Sequence, residues 1–473
     1  MTLPLTSFGV TMAVARTAVG TIGTVRTNMT QSMHDFLKSH NIHEVECVIA
    51  DMTGIARGKI LPRDLFLSAG EMRIPKSVLL NTVNGEQPGN GPYVGPTDPD
   101  MICVPDPATI RVVPWAAESV ALVIHDCENF DGSAVGLSPR AVLRHVLHLY
   151  QERGWRPVVA PEMEFYLVAR NSNPHEPLTP PLGRTGKPES GRQSYSIDAV
   201  NDFDPFFLEL SSFCKTHELG VETLIHEAGA GQMEINFSHG DALELADRVF
   251  LFKRAVRETA LRHGIFATFM AKPMEQEPGS AMHIHQSIVD AQSGENVFSN
   301  PDGSASTLFF NYLAGLEEYV PQAMLMFAPY VNSYRRLSRF MSAPTNVRWG
   351  YDNRSCGIRI PNSNAANRRV ENRVPGVDVN PYLAMAATLA CGYLGMVNAM
   401  TPSPATEGSA EHVDDELPRN LEDAIVRMRA CEPLGAILGE LFVKAFCEVK
   451  ELEFATYSRV ISSWEREHLM LLV

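Results

Sequence analysis

The stretch His226-Glu227-Ala228-Gly229-Ala230-Gly231-Gln232-Met233-Glu234-Ile235-Asn236 holds two carboxylates seven residues apart. The small residues between them turn tightly and let a ligand approach the backbone. From Gln232 to Asn236 polar and apolar residues alternate, as in a strand with one wet face. Three other short runs share this pattern, pairing Glu162 with Glu164, His283 with His285, and Glu371 with Arg373. Residues i and i+2 of a strand point to one face, so each pair looks the same way. Side by side, four such strands would line one concave face with five carboxylates: Glu162, Glu164, Glu227, Glu234 and Glu371.

Two carboxylates 4 Å apart repel by about 4 kcal/mol at an effective dielectric near 20, so such a group protonates, splays into water or binds cations. Oxygen-rich donors with imidazole favour Mg²⁺ or Mn²⁺, whereas Cys and His together favour zinc. Taken alone, a Glu-x-Glu pair reads as a solvated face, and a His-x-His pair as a structural pair or a ligand. Their joint occurrence points to a pair of hard divalent ions.

A second block is basic. Arg335 and Arg336 are followed by Arg354 and Arg359, then by Arg368, Arg369 and Arg373. In an acidic chain this density of guanidinium groups points to recognition of carboxylate and phosphate oxygens, with a solvated basic rim as the plainer reading. Other templates fail. Gly183 to Pro188 has the wrong spacing for a phosphate-binding loop and proline where a Ser or Thr is needed. There is no dinucleotide glycine fingerprint, no His-Glu-x-x-His and no Gly-x-Ser-x-Gly. Any ATP must be held through metals and arginines.

The elements that position these residues divide the 473-residue chain into three parts. Residues 1 to 28 read as a variable leader, 29 to 136 as a small β-rich domain, and 137 to 473 as a larger α+β domain. In the small domain a short helix at 31–39 leads to strands at 45–51, 55–61, 111–115 and 119–126, with 83–107 expected as loop. Ser138-Pro139 starts a helix, and Pro157 to Val168 forms the strand carrying Glu162 and Glu164. The Pro/Gly/Ser-rich stretch 171–194 is long enough for a functional cover. A helix runs from Asp241 to His263 with Asp241 and Glu244 as a capping box, and 265–273 reads as a buried strand. Helices near 307–325, 381–399 and 420–430 alternate with strands at 356–361 and 369–374, and 401–418 is a polar loop.

The formal charge of −15, with no basic run, argues against nucleic acid or an anionic membrane as partner. No stretch is apolar enough to span a bilayer, and the N-terminus lacks a secretory pattern. Eight scattered cysteines without a Cys-x-x-Cys pair read as buried thiols of a reducing, cytoplasmic compartment.

The ordered segments PEMEFYL, HEAGAGQMEIN, FMAKPMEQEPGSAMHIH, NSYRR, DNRSCGIRIP and RRVENRV with a following NPYL resemble successive signatures of the class I glutamine synthetase superfamily. The likeness runs from about residue 35 to the C-terminus. It implies a small β-grasp-like domain followed by a large domain with a curved antiparallel sheet and helices. Carried over residue by residue, it implies that Glu164, Glu227 and Glu234 hold one metal and Glu162, His283 and Glu371 a second. Glu222, His285, Ser287, Arg359 and Arg369 match nucleotide contacts; Gly279, Arg336 and Arg373 match contacts to the amino-acid substrate; Arg354 matches the arginine beside the transferred phosphoryl group.

The implied reaction is phosphorylation of the glutamate γ-carboxylate by ATP, followed by attack of an amine on the γ-glutamyl phosphate. Glutamine synthetases carry an Asp-Gly-Ser stretch and a flap glutamate at the ammonium site; here Asn84-Gly85-Glu86-Gln87-Pro88 and Ser342 stand there, and Pro278 replaces an asparagine. The chain therefore resembles the γ-glutamylputrescine synthetase branch, whose acceptors are polyamines or alkyl monoamines. Use of ammonia, or a silent regulatory relative, are the alternatives. Asp415 stands where adenylylated relatives carry their modified tyrosine, so no control by that route is expected. A homo-oligomer, a dodecamer of two hexameric rings, is also implied.

Overall fold

The computed structural model describes residues 31–89, 91–338, 343–413 and 417–473. The expected leader at 1 to 28, Ser342 and Asp415 lie outside the described residues, leaving those readings as expectations.

The β-branched run after His43 forms β1 (Glu44–Ala50), which pairs antiparallel with β2 (Ala56–Pro62). β3 (Met72–Pro75), β4 (Asp100–Pro105), β5 (Arg111–Val112) and β6 (Val120–Glu128) complete a six-stranded sheet of order β2-β1-β6-β4-β3, with β5 on β6. β4 corrects the expected loop at 83–107. Its six residues alternate in burial between proline-rich ends, a signal too short to read against that Gly/Pro/Asp text.

The second sheet has nine strands: β7 (Trp155–Val168), β8 (Val221–His226), β9 (Gln232–Phe237), β10 (Gly240–Asp241), β11 (Phe266–Thr268), β12 (Met282–Asp290), β13 (Trp349–Tyr351), β14 (Ile358–Ile360) and β15 (Val370–Asn372). Its path is β13-β14-β15-β12-β7-β9-β8, antiparallel except between β13 and β14. The buried strand expected at 265–273 is confined to β11. It pairs only with the end of β7 at 166–168, and beyond it the chain leaves the sheet for the loop that carries Gly279.

Helices back this sheet. α1 (Pro139–Glu152) starts after Ser138 as expected, although the Ser138 side chain makes no capping hydrogen bond. α2 (Ala242–Arg262) is capped by Asp241, which accepts from Leu243 and Glu244, while the Glu244 carboxylate turns to Arg248 at 2.5 Å and so does not complete a capping box. The run expected as one helix at 307–325 is α3 (Thr307–Tyr319) followed by a separate turn at Met324–Phe327. α4 (Pro381–Val397) is buried on all sides through Met396. α5 (Glu440–Tyr457) was not legible, because its apolar positions are diluted by six charged residues in ELFVKAFCEVKELEFATY.

Polar anchors join the two sheets. Arg140, 4% exposed, reaches Asp106 and Asp126 beside the first sheet and Asp247 on α2, at 2.5–2.8 Å. Arg254 meets Glu46 at 2.8 Å, and Asn380 donates to the carbonyl of Asp51 at 2.9 Å.

Candidate active site

Register turns the residue pairs into one surface. His283 lies opposite Glu162, Glu164 opposite Glu234, and Glu371 between His285 and Arg359. The site-facing residues of β14, β15, β12, β7 and β9 thus form one floor, closed at its far edge by the turn carrying Glu227. A cavity of about 310 Å³ opens above it. All six expected metal ligands line the cavity, as do Gly279, Arg336, Arg354, Arg359 and Arg373.

Four expected residues lie outside the cavity wall. His285 and Arg369 border it: His285 Nε2 is 2.9 Å from Glu162, and Arg369 donates to His285 Nδ1 at 3.3 Å. Ser287 lies two residues further along the same face of β12 and is half-buried. Glu222 is exposed, at the irregularity where β8 slips register against β9. Donor atoms also group differently from the expected division. Glu162, His285 and Glu371 form one set and Glu162, Glu234 and His283 another, each with its atoms within 4.8 Å, so Glu162 is shared.

Electrostatics divides the floor. Burial alone would raise Glu162 and Glu371. Hydrogen bonds from His283 and His285 hold Glu162 well below the usual carboxylate range, and His283, His285 and Arg373 bring Glu371 to about 2. Arg359 and Arg373 donate to the two Glu371 oxygens at 2.6 and 2.7 Å. Glu164, Glu227 and Glu234 go the other way. Burial and then like charge push all three up, Glu234 to about 9.

Gly279 has a steric reason. A Cβ there would lie 2.5 Å from Arg336 Cγ and 2.7 Å from the carbonyl of Ala271, so glycine lets Arg336 stand against this loop. Arg336 is 3% exposed and donates to the carbonyls of Val374 and Arg373 at 2.8 and 3.0 Å. Burial lowers its guanidinium to about 10.

These carboxylates, imidazoles and arginines converge on one cavity, and a family model identifies the chain that carries them. The model described as glutamine synthetase, catalytic domain, matches residues 136–469. The chain belongs to the glutamine synthetase family. Over 450 residues it is 34% identical to the γ-glutamylputrescine synthetase PuuA of Escherichia coli strain K12, covering 93% of this chain and 94% of that one. Over 445 residues it is 32% identical to a glutamate–isopropylamine ligase of a Pseudomonas species, covering 92% and 96%. A solved structure, GmaS without ligand, matches with a TM-score of 0.78 at 28% identity over 92% of this chain and 98% of that one.

Glutamine synthetase-family enzymes use ATP and divalent metal, and the donor chemistry here fits such an ion. Glu164 and Glu234 are buried and Glu227 half-buried, nearby carboxylates raise each of them, and a hard cation would favour their ionised forms. Thiols are no part of the set, since the eight cysteines are free and all but half-buried Cys431 are buried elsewhere. Among the described residues no helix is long and apolar enough to cross a membrane.

Several lining residues escaped sequence reasoning. Tyr195, Ile225, Ala228, Asn236, Ala281 and Ala343 all face the cavity. Only Asn236 carried a signal, since it continues the i, i+2 face of Gln232 and Glu234. Gln232 proves central: it donates to Glu164 at 3.2 Å, to the Gly279 carbonyl at 3.0 Å and to Ser280 at 3.1 Å, and accepts from Gly229 at 3.0 Å.

Proposed function

We propose that this enzyme joins the γ-carboxylate of glutamate to an amine, using ATP and passing through γ-glutamyl phosphate. The observation that carries the reading is the single cavity in which six metal-type ligands meet Arg336, Arg354, Arg359 and Arg373. Bound Mg²⁺ or Mn²⁺, two or more per site, supplies neutralisation of the carboxylates and of phosphate oxygens. The ligands in this reading are Glu164, Glu227 and Glu234 for one ion and Glu162, His283 and Glu371 for another.

Arg336 and Arg373, with Gly279, hold glutamate. Buried guanidinium groups recognise a carboxylate strongly because little water competes. Arg354, exposed at the rim, neutralises the transferring phosphoryl group. His285, Ser287, Arg359, Arg369 and Glu222 form the nucleotide side, with Glu222 the outermost. The carboxylate oxygen attacks the γ-phosphorus of ATP and ADP leaves; the amine nitrogen then attacks the carbonyl carbon of the γ-glutamyl phosphate, phosphate leaves, and the nitrogen loses a proton.

An alkylamine, either a polyamine such as putrescine or spermidine or a monoamine, is the preferred acceptor. The names of the two curated relatives support this class, and Pro278 and Ala343 give the cavity wall apolar surface. The small-domain substitutes for the ammonium site are engaged elsewhere: Gln87 bonds Asn81 and Ser77, and Glu86 bonds Thr456. The setting is amine or polyamine catabolism in the cytoplasm, in a homo-oligomer, a dodecamer of two hexameric rings.

The test is phosphate release from ATP with glutamate and Mg²⁺ across ammonium, putrescine, spermidine and several monoamines. Release with an alkylamine and little with ammonium is expected. Preference for ammonium would return the chain to glutamine synthesis.

A further inference from the structure

The turn at 228–231 ties together three segments of the cavity wall, and its anchors include two side chains with no part in the chemistry above. Three successive backbone N–H groups each donate to a side chain. Gly229 donates to Gln232 at 3.0 Å, Ala230 to Glu277 at 3.3 Å, and Gly231 to Glu189 Oε2 at 2.7 Å. Glu189 belongs to the long stretch 171–194, and Glu277 to the loop leading into Gly279.

Glu189 is the stronger anchor. The same Oε2 also contacts His226 Nε2 at 3.1 Å, and the other nitrogen of that ring lies 2.7 Å from the carbonyl oxygen of Glu227. The two side chains are 6% and 0% exposed, so water does not compete for these contacts. Six residues on, the N–H of Tyr195 donates to the His226 carbonyl at 2.9 Å. That bond and Glu189 fix both ends of 189–195 to the strand end that presents Glu227. Tyr195 itself lines the cavity with φ of 62°, a conformation a tyrosine holds only when its surroundings impose it.

We infer that Glu189, with Glu277 as a weaker second anchor, is a positioning residue that clamps segment 189–195 and the Glu227–Gly231 turn together, keeping the cavity wall closed to water. This rests on the ligase reading. γ-Glutamyl phosphate that meets water before the amine releases phosphate and regenerates glutamate, consuming ATP without forming amide. A loosened clamp therefore uncouples the two products instead of merely slowing them.

The experiment measures phosphate released per amide formed, with the full-length enzyme at saturating glutamate and amine. Wild type is expected near one. Glu189→Ala raises the ratio severalfold, and Glu277→Ala raises it less. Glu189→Gln falls between wild type and Glu189→Ala: its amide oxygen can accept both contacts now made by Oε2, while its NH₂ falls at the buried Oε1 position, where no acceptor stands. A ratio that stays at one in the folded alanine variants, or a Gln variant as uncoupled as Ala, overturns the inference. If Glu189→Ala does not fold, Glu277→Ala carries the same test at the neighbouring N–H. If wild type forms no amide with any of the amines, the ligase reading fails separately. The clamp is then judged by hydrogen exchange at residues 229–231, which must quicken in Glu189→Ala or the clamp fails too.

Discussion

The two ends of the carboxylate floor are held by opposite means. At one end Glu162 and Glu371 lie among His283, His285, Arg359 and Arg373, and their charge is matched within the chain. At the other, Glu164, Glu227 and Glu234 face mainly one another, and burial and mutual repulsion favour their neutral forms. At the first end folding alone matches the charge; the second is left with carboxylates that a cation would neutralise. Removing a carboxylate should therefore have opposite effects on stability at the two ends, although both removals abolish activity.

The largest effect is expected at the matched end. Glu371→Gln leaves Arg359 and Arg373 without their shared partner in a buried setting, and costs about 3 kcal/mol of stability by the precedent of broken buried pairs. Chemical denaturation without metal reads this directly, and an unchanged midpoint would break the comparison.

A second prediction separates the floor from the rest of the molecule. Burial holds His125 and His217, both outside the floor, at about 4 instead of 6.5. These folded-state values are lowered, so the stability they contribute is complete above pH 6.5. It is lost as pH falls from 6.5 towards 4, when only the unfolded chain takes up the protons. Each contributes on the order of 3 kcal/mol across that window. Between pH 7 and 4.5 the raised Glu234 keeps its proton in the folded chain and loses it in the unfolded one, which opposes this decline, so denaturation should show a steeper fall in Glu234→Gln than in wild type. A decline absent from the variant would place its origin in the floor.

Cation binding sharpens the contrast further. Mg²⁺ at a hundred times its dissociation constant stabilises a folded protein by about 2.7 kcal/mol. Wild type should gain on that scale in a thermal scan, and Glu234→Gln much less. The smallest effect is the most telling in sign. Without metal, Glu234→Gln removes the cost of holding that carboxyl protonated at neutral pH and raises stability by at least about 1 kcal/mol. A loss would mean that Glu234 is already matched within the chain.

Much of the floor was legible because period-two spacing states which side chains share a face. Glu162 with Glu164 and His283 with His285 needed no structure to be paired. Spacing does not state register, however. That Glu164 faces Glu234, and that Glu162 serves both donor sets, depends on strand pairing across 66 or more residues. In the small sheet β3 and β4 were missed, each a short alternation ending in proline. Glu189, Glu277 and Tyr195 stayed hidden because coil carries no period, and their roles exist only once three loops converge on one turn. Glu222, matched by family likeness to a nucleotide contact, lies exposed at the irregularity in β8 and outside the cavity wall, a placement that spacing alone does not state.

The most direct measurement of the central claim follows oxygen. Glutamate labelled with ¹⁸O in both γ-carboxylate oxygens is turned over with ATP and an alkylamine, and the released phosphate is weighed by mass spectrometry. Passage through γ-glutamyl phosphate moves one labelled oxygen into each phosphate and leaves the other in the amide. Phosphate carrying no label would contradict the account, since ATP would then have been cleaved without activating glutamate.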